Sequence, residues 1–164
     1  MSRFVAFVLL VVLGACSSPP EETATLQELE AAAGPAAGPP QVLPGDIANL
    51  QVEQSPAVGP VVADREHYTL YLNTEDGSSK STCLEPECTL VWPPLLAAGG
   101  KIEAPELDQK LLGTMKRPDG TEQVTIGGHP VYRYVDDEQA GDATGHGRDD
   151  RWYAIAPNGS KASR

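Results

Sequence analysis

The sequence has little positive charge, no apolar run long enough to span a membrane, and no nucleotide-binding or nucleophile motif. Its 164 residues carry 12 Lys and Arg against 23 Asp and Glu, for a net charge of −11. Such a chain gains nothing from counterion release, which argues against binding of DNA or RNA. No Ser-His-Asp context, phosphate-binding loop or dinucleotide fingerprint is present. The sequence therefore predicts no enzyme activity and no cofactor.

The N-terminus has the features of an export signal. Arg3 precedes the apolar run Phe4–Leu13, which is too short to cross a bilayer and is followed by the letters LGAC. A Cys directly after LGA resembles the bacterial lipobox, in which cleavage precedes a Cys that becomes lipidated. This resemblance implies a signal peptide at 1–15 and a lipid on Cys16 that attaches the chain to a membrane. The chain would then lie in the bacterial cell envelope, facing the periplasm or the exterior. The other interpretation is an ordinary signal peptide followed by an unmodified Cys.

Residues 16–58 form a second segment with a different composition. The segment is rich in Pro, Ala, Gly and Glu, and after Cys16 it carries six acids and no Lys or Arg. Such a composition buries too little apolar surface to offset the loss of chain entropy. We therefore expect a disordered linker that can be removed without unfolding the rest of the chain.

Residues 59–164 have the pattern of a small β domain. Short alternating or apolar runs predict strands at "VVA", "HYTLYLN", "TLVW", "EQVTI", "PVYRYV" and "RWYAIA". The letters "RPDG" and the pair Gly127-Gly128 predict turns between strands, and "APELDQKLLGTMK" has room for one helical turn. With no long amphipathic helix, the pattern predicts an all-β fold, a small antiparallel sandwich or barrel.

Three residue types recur in the same order in this domain. Trp follows Tyr by 21 residues in the first occurrence and by 20 in the second, with an Asp five residues after each Tyr: Tyr71, Asp76, Trp92 and Tyr132, Asp137, Trp152. Matched spacing of this kind indicates an internal duplication. The sequence predicts two tandem repeats, at about 59–105 and about 110–158.

The chain resembles the bacterial secreted-repeat lipoproteins, whose tandem units carry a Tyr-x4-Asp signature, in longer form Yx(FWY)xxD. The letters "YRYVDD" match the longer form through Tyr132, Tyr134 and Asp137. The letters "YLNTED" match the shorter form through Tyr71 and Asp76, with Asn in the aromatic position. The family has no established activity, so the resemblance implies no mechanism.

The Tyr-x4-Asp spacing has two physical interpretations. On a straight strand, residues five apart face opposite ways, so Tyr and Asp of one motif share a face only if the chain turns between them. In the scaffold interpretation, the Asp accepts backbone N–H groups at a turn and the Tyr buries its ring. The other interpretation is a catalytic or ligand-binding dyad.

The two remaining cysteines, Cys83 and Cys88, lie close together in the sequence. In an oxidising compartment this spacing predicts a local disulfide, which would stabilise the fold by about 2 kcal/mol. Metal binding or redox use of the pair is the alternative.

Two further groups are candidate metal ligands. Histidines at three scattered positions could bind copper or zinc, or could be ordinary surface residues: His67, His129 and His146. The loop "DDEQAGDATGHGRDD", which begins at Asp136, could bind Ca²⁺ or could be a solvated acidic loop. The leading interpretation is a lipid-anchored envelope protein with a non-catalytic binding or structural domain and an unknown partner. The alternative is a metal-binding or electron-transfer accessory of the envelope.

Overall fold

The computed structural model describes residues 47–163, except for the side chain of Ala98. The predicted signal peptide, the lipidation site Cys16 and the first part of the predicted linker lie outside the described residues. Within them the chain is mostly strands with almost no helix, arranged as three small sheets. The all-β prediction is confirmed, but the sheets do not form a closed barrel.

The first sheet contains the strands β1 (Ala48–Ser55), β2 (Gly59–Asp64) and β4 (Ile102–Glu103), in the order β2-β1-β4. β1 and β2 form an antiparallel hairpin, whereas β1 and β4 are parallel. The sheet therefore joins the start of the domain to its middle.

The predicted linker boundary at residue 58 is wrong, because β1 occupies Ala48–Ser55. Ala48 and Leu50 are buried, Asn49, Gln51 and Glu53 are half-buried and Gln54 is exposed. This is the period-two pattern of a strand with one buried face. The polar residues of β1 are similar in composition to the segment before it, so the sequence pattern did not reveal the strand.

The second hairpin system contains β5 (Leu112–Lys116), β6 (Glu122–Ile126) and β7 (His129–Pro130), in that order. The predicted "RPDG" turn joins β5 to β6. Gly127 and Gly128 join β6 to β7, with φ angles of 59° and 83°. Two consecutive residues with positive φ define the turn that best fits the twist of a two-residue hairpin, and glycine adopts them without steric cost. Both predicted turns are confirmed.

The third sheet pairs β3 (Tyr71–Asn73) with β8 (Trp152–Ala154) in antiparallel register. β3 is buried on both faces and separates two apolar cores. Leu70 and Leu72 belong to an aliphatic core that also contains residues of β1, β2 and β6. Tyr71 points to the other side, into a core dominated by aromatic rings.

The predicted strand at "TLVW" is wrong, because these residues belong mainly to the helix α1 (Pro86–Val91). Pro86 stands in the first turn of α1, where a proline's fixed φ suits a helix and its missing N–H costs nothing. The predicted disulfide between Cys83 and Cys88 is present and ties the segment before α1 to its third residue. The helical turn predicted in "APELDQKLLGTMK" is a 3-10 turn at Gln109–Leu111. Nothing helical between residues 47 and 163 combines the length and the apolar character needed to span a bilayer.

We predict that a chain starting at Gly59 is much less stable than one starting at Ile47. The shorter chain loses β1, which pairs with both β2 and β4 and places Leu50 in the core. Truncating one buried Leu to Ala typically costs about 2–5 kcal/mol, so loss of the whole strand should cost at least that much. Chemical denaturation of the two chains, with Leu50→Ala in the longer one as an intermediate case, tests this. Equal free energies of unfolding would show that β1 is dispensable.

Candidate functional site

The two Tyr-x4-Asp motifs meet at one place in the structure. Tyr71 and Tyr132 form an antiparallel backbone bridge, in which each N–H donates to the other residue's carbonyl oxygen, at 2.8 and 3.0 Å. Both tyrosines are fully buried. The motifs, which lie far apart in the sequence, therefore form one buried site.

The two motifs exchange hydrogen-bond partners, because the tyrosine hydroxyl of each motif donates to the aspartate of the other. The Tyr71 hydroxyl donates to Asp137 Oδ2 at 2.6 Å, and the Tyr132 hydroxyl donates to Asp76 Oδ2 at 2.7 Å. Each Tyr thus binds the Asp of the other motif. The sequence interpretation considered only the Tyr and Asp within one motif and missed this exchange, because neither motif alone indicates its partner.

The second oxygen of each carboxylate holds a local turn. Asp76 Oδ1 accepts hydrogen bonds from the backbone N–H and the hydroxyl of Thr82, both at 2.7 Å. Asp137 Oδ1 accepts the same two bonds from Thr144, at 3.0 and 2.6 Å. Both oxygens of each buried carboxylate therefore have hydrogen-bond partners inside the protein.

Backbone hydrogen bonds around the bridge follow the same exchange. The N–H of Leu95, after the first motif, donates to Val131 O, and the N–H of Ile155, after the second, donates to Leu70 O. These bonds measure 3.0 and 2.9 Å. A residue that follows each motif is therefore paired with the residue immediately before the Tyr of the other motif. The division into two tandem repeats stays a prediction, but the Tyr–Asp and Asp–Thr hydrogen bonds occur in both motifs.

Aromatic rings fill the space beside the hydroxyl network. Trp92 and Trp152 stack with ring centroids 4.0 Å apart and planes 5° from parallel. Tyr134, the additional aromatic residue of the longer motif, stacks on Trp92 at 4.3 Å. A Cβ atom at Gly145 would lie 2.8 Å from the Trp92 ring and 3.0 Å from the Tyr71 ring. Gly145, which the sequence analysis placed in a loop that could bind calcium, is therefore required for close packing.

Tyr134 has partners different from those of the two buried tyrosines. Its hydroxyl donates to Asp136 Oδ2 at 2.7 Å and accepts hydrogen bonds from Arg148. The Arg148 guanidinium also lies over the Tyr134 ring, 5.2 Å from its centroid. At the corresponding position of the first motif, the Asn73 side chain accepts the backbone N–H of Glu75. The Asn side chain at this position of the first motif therefore stabilises a turn.

The acidic loop is held by its own hydrogen bonds. Asp142 Oδ2 accepts the backbone N–H groups of Glu138 and Gln139, at 3.1 and 2.9 Å. Within residues 47–163, no group of three or more His, Cys, Asp or Glu side chains is arranged to hold a metal ion. The calcium interpretation of this loop therefore gains no support from the geometry.

The three histidines have separate surroundings. His67 Nδ1 lies 2.6 Å from Glu53 Oε1 on the surface. His146 packs edge-on against the Tyr153 ring, and burial, together with the nearby Lys161 charge, lowers the pKa of its imidazole. His129 stands in β7. Their positions do not indicate a shared copper or zinc site.

A cleft of about 440 Å³ opens beside the aromatic rings and α1. Its lining combines apolar side chains with three carboxylates and one guanidinium: Asn73, Glu75, Thr82, Glu87, Cys88, Val91, Trp92, Asp149, Arg151 and Trp152. The Arg151 guanidinium forms an ion pair within the cleft, since its Nη1 lies 3.0 Å from Glu75 Oε2. Sequence reasoning missed this cleft, because its residues come from four separate segments.

Comparison with protein families matches the second motif region. Residues 113–156 match a family described as a secreted repeat of unknown function. This secreted-repeat segment begins within β5 and ends just after β8, and it includes Tyr132, Asp137 and Trp152. The resemblance to secreted-repeat proteins is therefore confirmed for this segment. Neither the curated proteins nor the solved structures contain a match to the chain.

We predict that Tyr71 and Asp137 are energetically coupled, as are Tyr132 and Asp76. Replacing either Asp by Ala should cost about 1–3 kcal/mol, and each Tyr→Phe about 0.5–1.5 kcal/mol, since buried hydrogen bonds are lost. Double-mutant cycles by chemical denaturation should give a coupling energy on the order of 1 kcal/mol for each exchanged pair. The control is the Tyr71 and Asp76 pair, which no direct hydrogen bond joins. Stronger coupling in the control would contradict the observed exchange.

We also predict a loss of stability at alkaline pH. Burial raises the pKa of the Tyr71 and Tyr132 phenols above the ordinary value of about 10, and the neighbouring carboxylates add to the increase. Below about pH 10 both folded and unfolded chains keep these protons, so the full stability is present. At higher pH the unfolded chain releases them, and the free energy of unfolding should fall by about 1.4 kcal/mol per pH unit for each phenol.

The pH-dependent slope can be assigned with phenylalanine variants. Tyr71→Phe should remove one phenol's contribution to the slope, and the double variant with Tyr132→Phe should remove both. Denaturation curves measured across the alkaline range give the slopes directly. An unchanged slope in the double variant would show that other groups cause the alkaline loss.

Proposed function

We propose that the chain is a lipid-anchored protein of the bacterial cell envelope. Support comes from the LGAC letters after a short apolar run, which resemble a lipobox. The match of residues 113–156 to a secreted repeat also favours a location outside the cytoplasm. A disulfide between Cys83 and Cys88 is typical of proteins in an oxidising compartment.

The β domain is proposed to be a non-catalytic binding or structural module. The observation that carries this proposal is the buried exchange of Tyr71 and Tyr132 with Asp137 and Asp76. A general base needs to reach a substrate proton, directly or through one water. Here both oxygens of each carboxylate already accept hydrogen bonds from Tyr and Thr groups. The chemistry available in the motif is therefore used to hold the fold.

The metal-binding or electron-transfer alternative relied on the histidines and the acidic loop. No arrangement of those side chains in residues 47–163 favours it.

A motif that serves as scaffold and a motif that serves as a binding site can be distinguished by experiment. Tyr71→Phe and Asp137→Ala should lower the free energy of unfolding and leave the binding properties of the folded domain unchanged. Variants as stable as the parent that lose a bound ligand would contradict the scaffold role.

We predict that Cys16 is required for membrane attachment. The full chain and its Cys16→Ser variant would be expressed in a bacterial host, and envelope fractions would be separated. The parent should be found with membranes and should shift to the soluble fraction in the variant, because attachment depends on the lipid. Mass spectrometry of the parent should show acyl chains on the residue. Equal distribution of both proteins would exclude the lipid anchor.

A further inference from the structure

The segment between Asp76 and Trp92 differs in kind from the one between Asp137 and Trp152. The motif contacts on both sides of these segments correspond, but the first segment alone contains a disulfide and a helix. None of the residues of α1 is buried. A surface helix in a globular domain normally buries one apolar face. Cys88 packs partly against the aromatic core, but the core does not account for Leu90 and Val91.

Exposed apolar side chains concentrate around this helix. Five large hydrophobic residues are exposed in the described part of the chain, and four of them lie on or beside α1: Leu84, Leu90, Val91 and Val135. Leu90 is the most exposed, at 61%, and Val135 is held next to α1 because its N–H donates to Val91 O at 3.1 Å. A clustered apolar surface of this kind marks an interaction site more often than scattered single residues do.

Negative charge borders the apolar residues. Glu87 and Val91 of α1 line the 440 Å³ cleft together with Glu75 and Asp149. The cleft's one guanidinium, Arg151, is paired with Glu75 and lies 3.9 Å from Asp149. None of the ion pairs formed among residues 47–163 involves Glu87. The surface thus combines apolar contacts with an excess of negative charge, because one guanidinium faces three carboxylates and Glu87 has no ion-pair partner among the described residues.

We propose that α1 and the adjoining cleft bind a basic, apolar peptide segment of another protein. The proposal rests on the binding role proposed for the domain and specifies its partner. Apolar side chains of the segment would cover Leu90, Val91 and Val135, and its Lys or Arg side chains would lie near Glu87 and Asp149. Complementary charge favours this encounter and excludes acidic partners.

Charge also argues against two occupants that are close at hand. The chain's own residues 17–46 carry five acids and no Lys or Arg, so they would be repelled. A second copy would bring another net charge of −11 to the same surface. A separate protein that supplies positive charge is the occupant that fits.

The test uses the lipid-free chain and three short synthetic peptides of equal length, composed of Lys and Leu, Glu and Leu, or Lys and Ser. Titrations are followed by amide chemical shifts of α1 and the indole signals of Trp92 and Trp152. The Lys-Leu peptide should bind saturably, more weakly as salt is added, because exposed charges are screened. The Glu-Leu and Lys-Ser peptides should bind at least about tenfold more weakly, since each lacks one of the two contacts.

Matched variants locate the binding surface. Leu90→Ser should weaken Lys-Leu binding by about tenfold, whereas Ile47→Ser, at an exposed apolar residue that is neither on α1 nor in the lining of the cleft, should not. Glu87→Gln should weaken binding by a few-fold and reduce its salt dependence, whereas Glu103→Gln should not. Thermal melts establish that each variant is folded.

Several outcomes would overturn the proposal. Absence of saturable binding by the Lys-Leu peptide, equal binding of the Glu-Leu peptide, or unchanged binding by Leu90→Ser would each do so. Concentration-dependent dimerisation that Leu90→Ser abolishes would show instead that a second copy covers α1. These outcomes would leave the lipid anchor and the scaffold role of the motifs standing, because fractionation and unfolding measurements test those separately.

Discussion

The fold depends on two buried hydrogen bonds, Tyr71 to Asp137 and Tyr132 to Asp76. Each bond joins the Tyr of one motif to the Asp of the other, so neither motif supplies the acceptor for its own buried tyrosine hydroxyl. A buried network of this kind stabilises the structure when complete and is costly when one member is missing. The two motifs are therefore expected to form together during folding.

The aromatic core follows from the same exchange. Because Tyr71 and Tyr132 are joined through their backbones, the residues after each motif return to the same side and bring Trp92 against Trp152. The Trp92 and Tyr71 rings leave no room for a side chain at Gly145. The glycine content of the acidic loop thus has at least one steric cause, which weakens the argument from composition to calcium binding.

Local chemistry made part of the structure predictable. The Gly127-Gly128 hairpin, the "RPDG" turn and the Cys83–Cys88 disulfide depend on residues adjacent in the sequence, and all are present. Three features were missed, two for local reasons and one because it depends on distant residues. β1 was hidden by a polar face next to a Pro-rich segment. α1 was hidden because "TLVW" reads as a strand unless the disulfide and Pro86 are weighed against it. The exchange of tyrosines could not be read from either motif alone, since the spacing within a motif carries no information about which Asp each Tyr binds.

Contacts that both motifs share can be explained by the fold, whereas features found beside only one motif call for another explanation. Contacts that occur in both motifs, such as Asp76 with Thr82 and Asp137 with Thr144, are explained by the need to complete the buried network. An exposed helix that buries none of its residues is not explained in that way. Removing Leu90 from water would be favourable only in a complex, since the folded domain leaves most of that side chain exposed. The exposed apolar residues of α1, beside a cleft with more carboxylates than guanidinium groups, are therefore the surface on which a specific role of this protein is expected to depend.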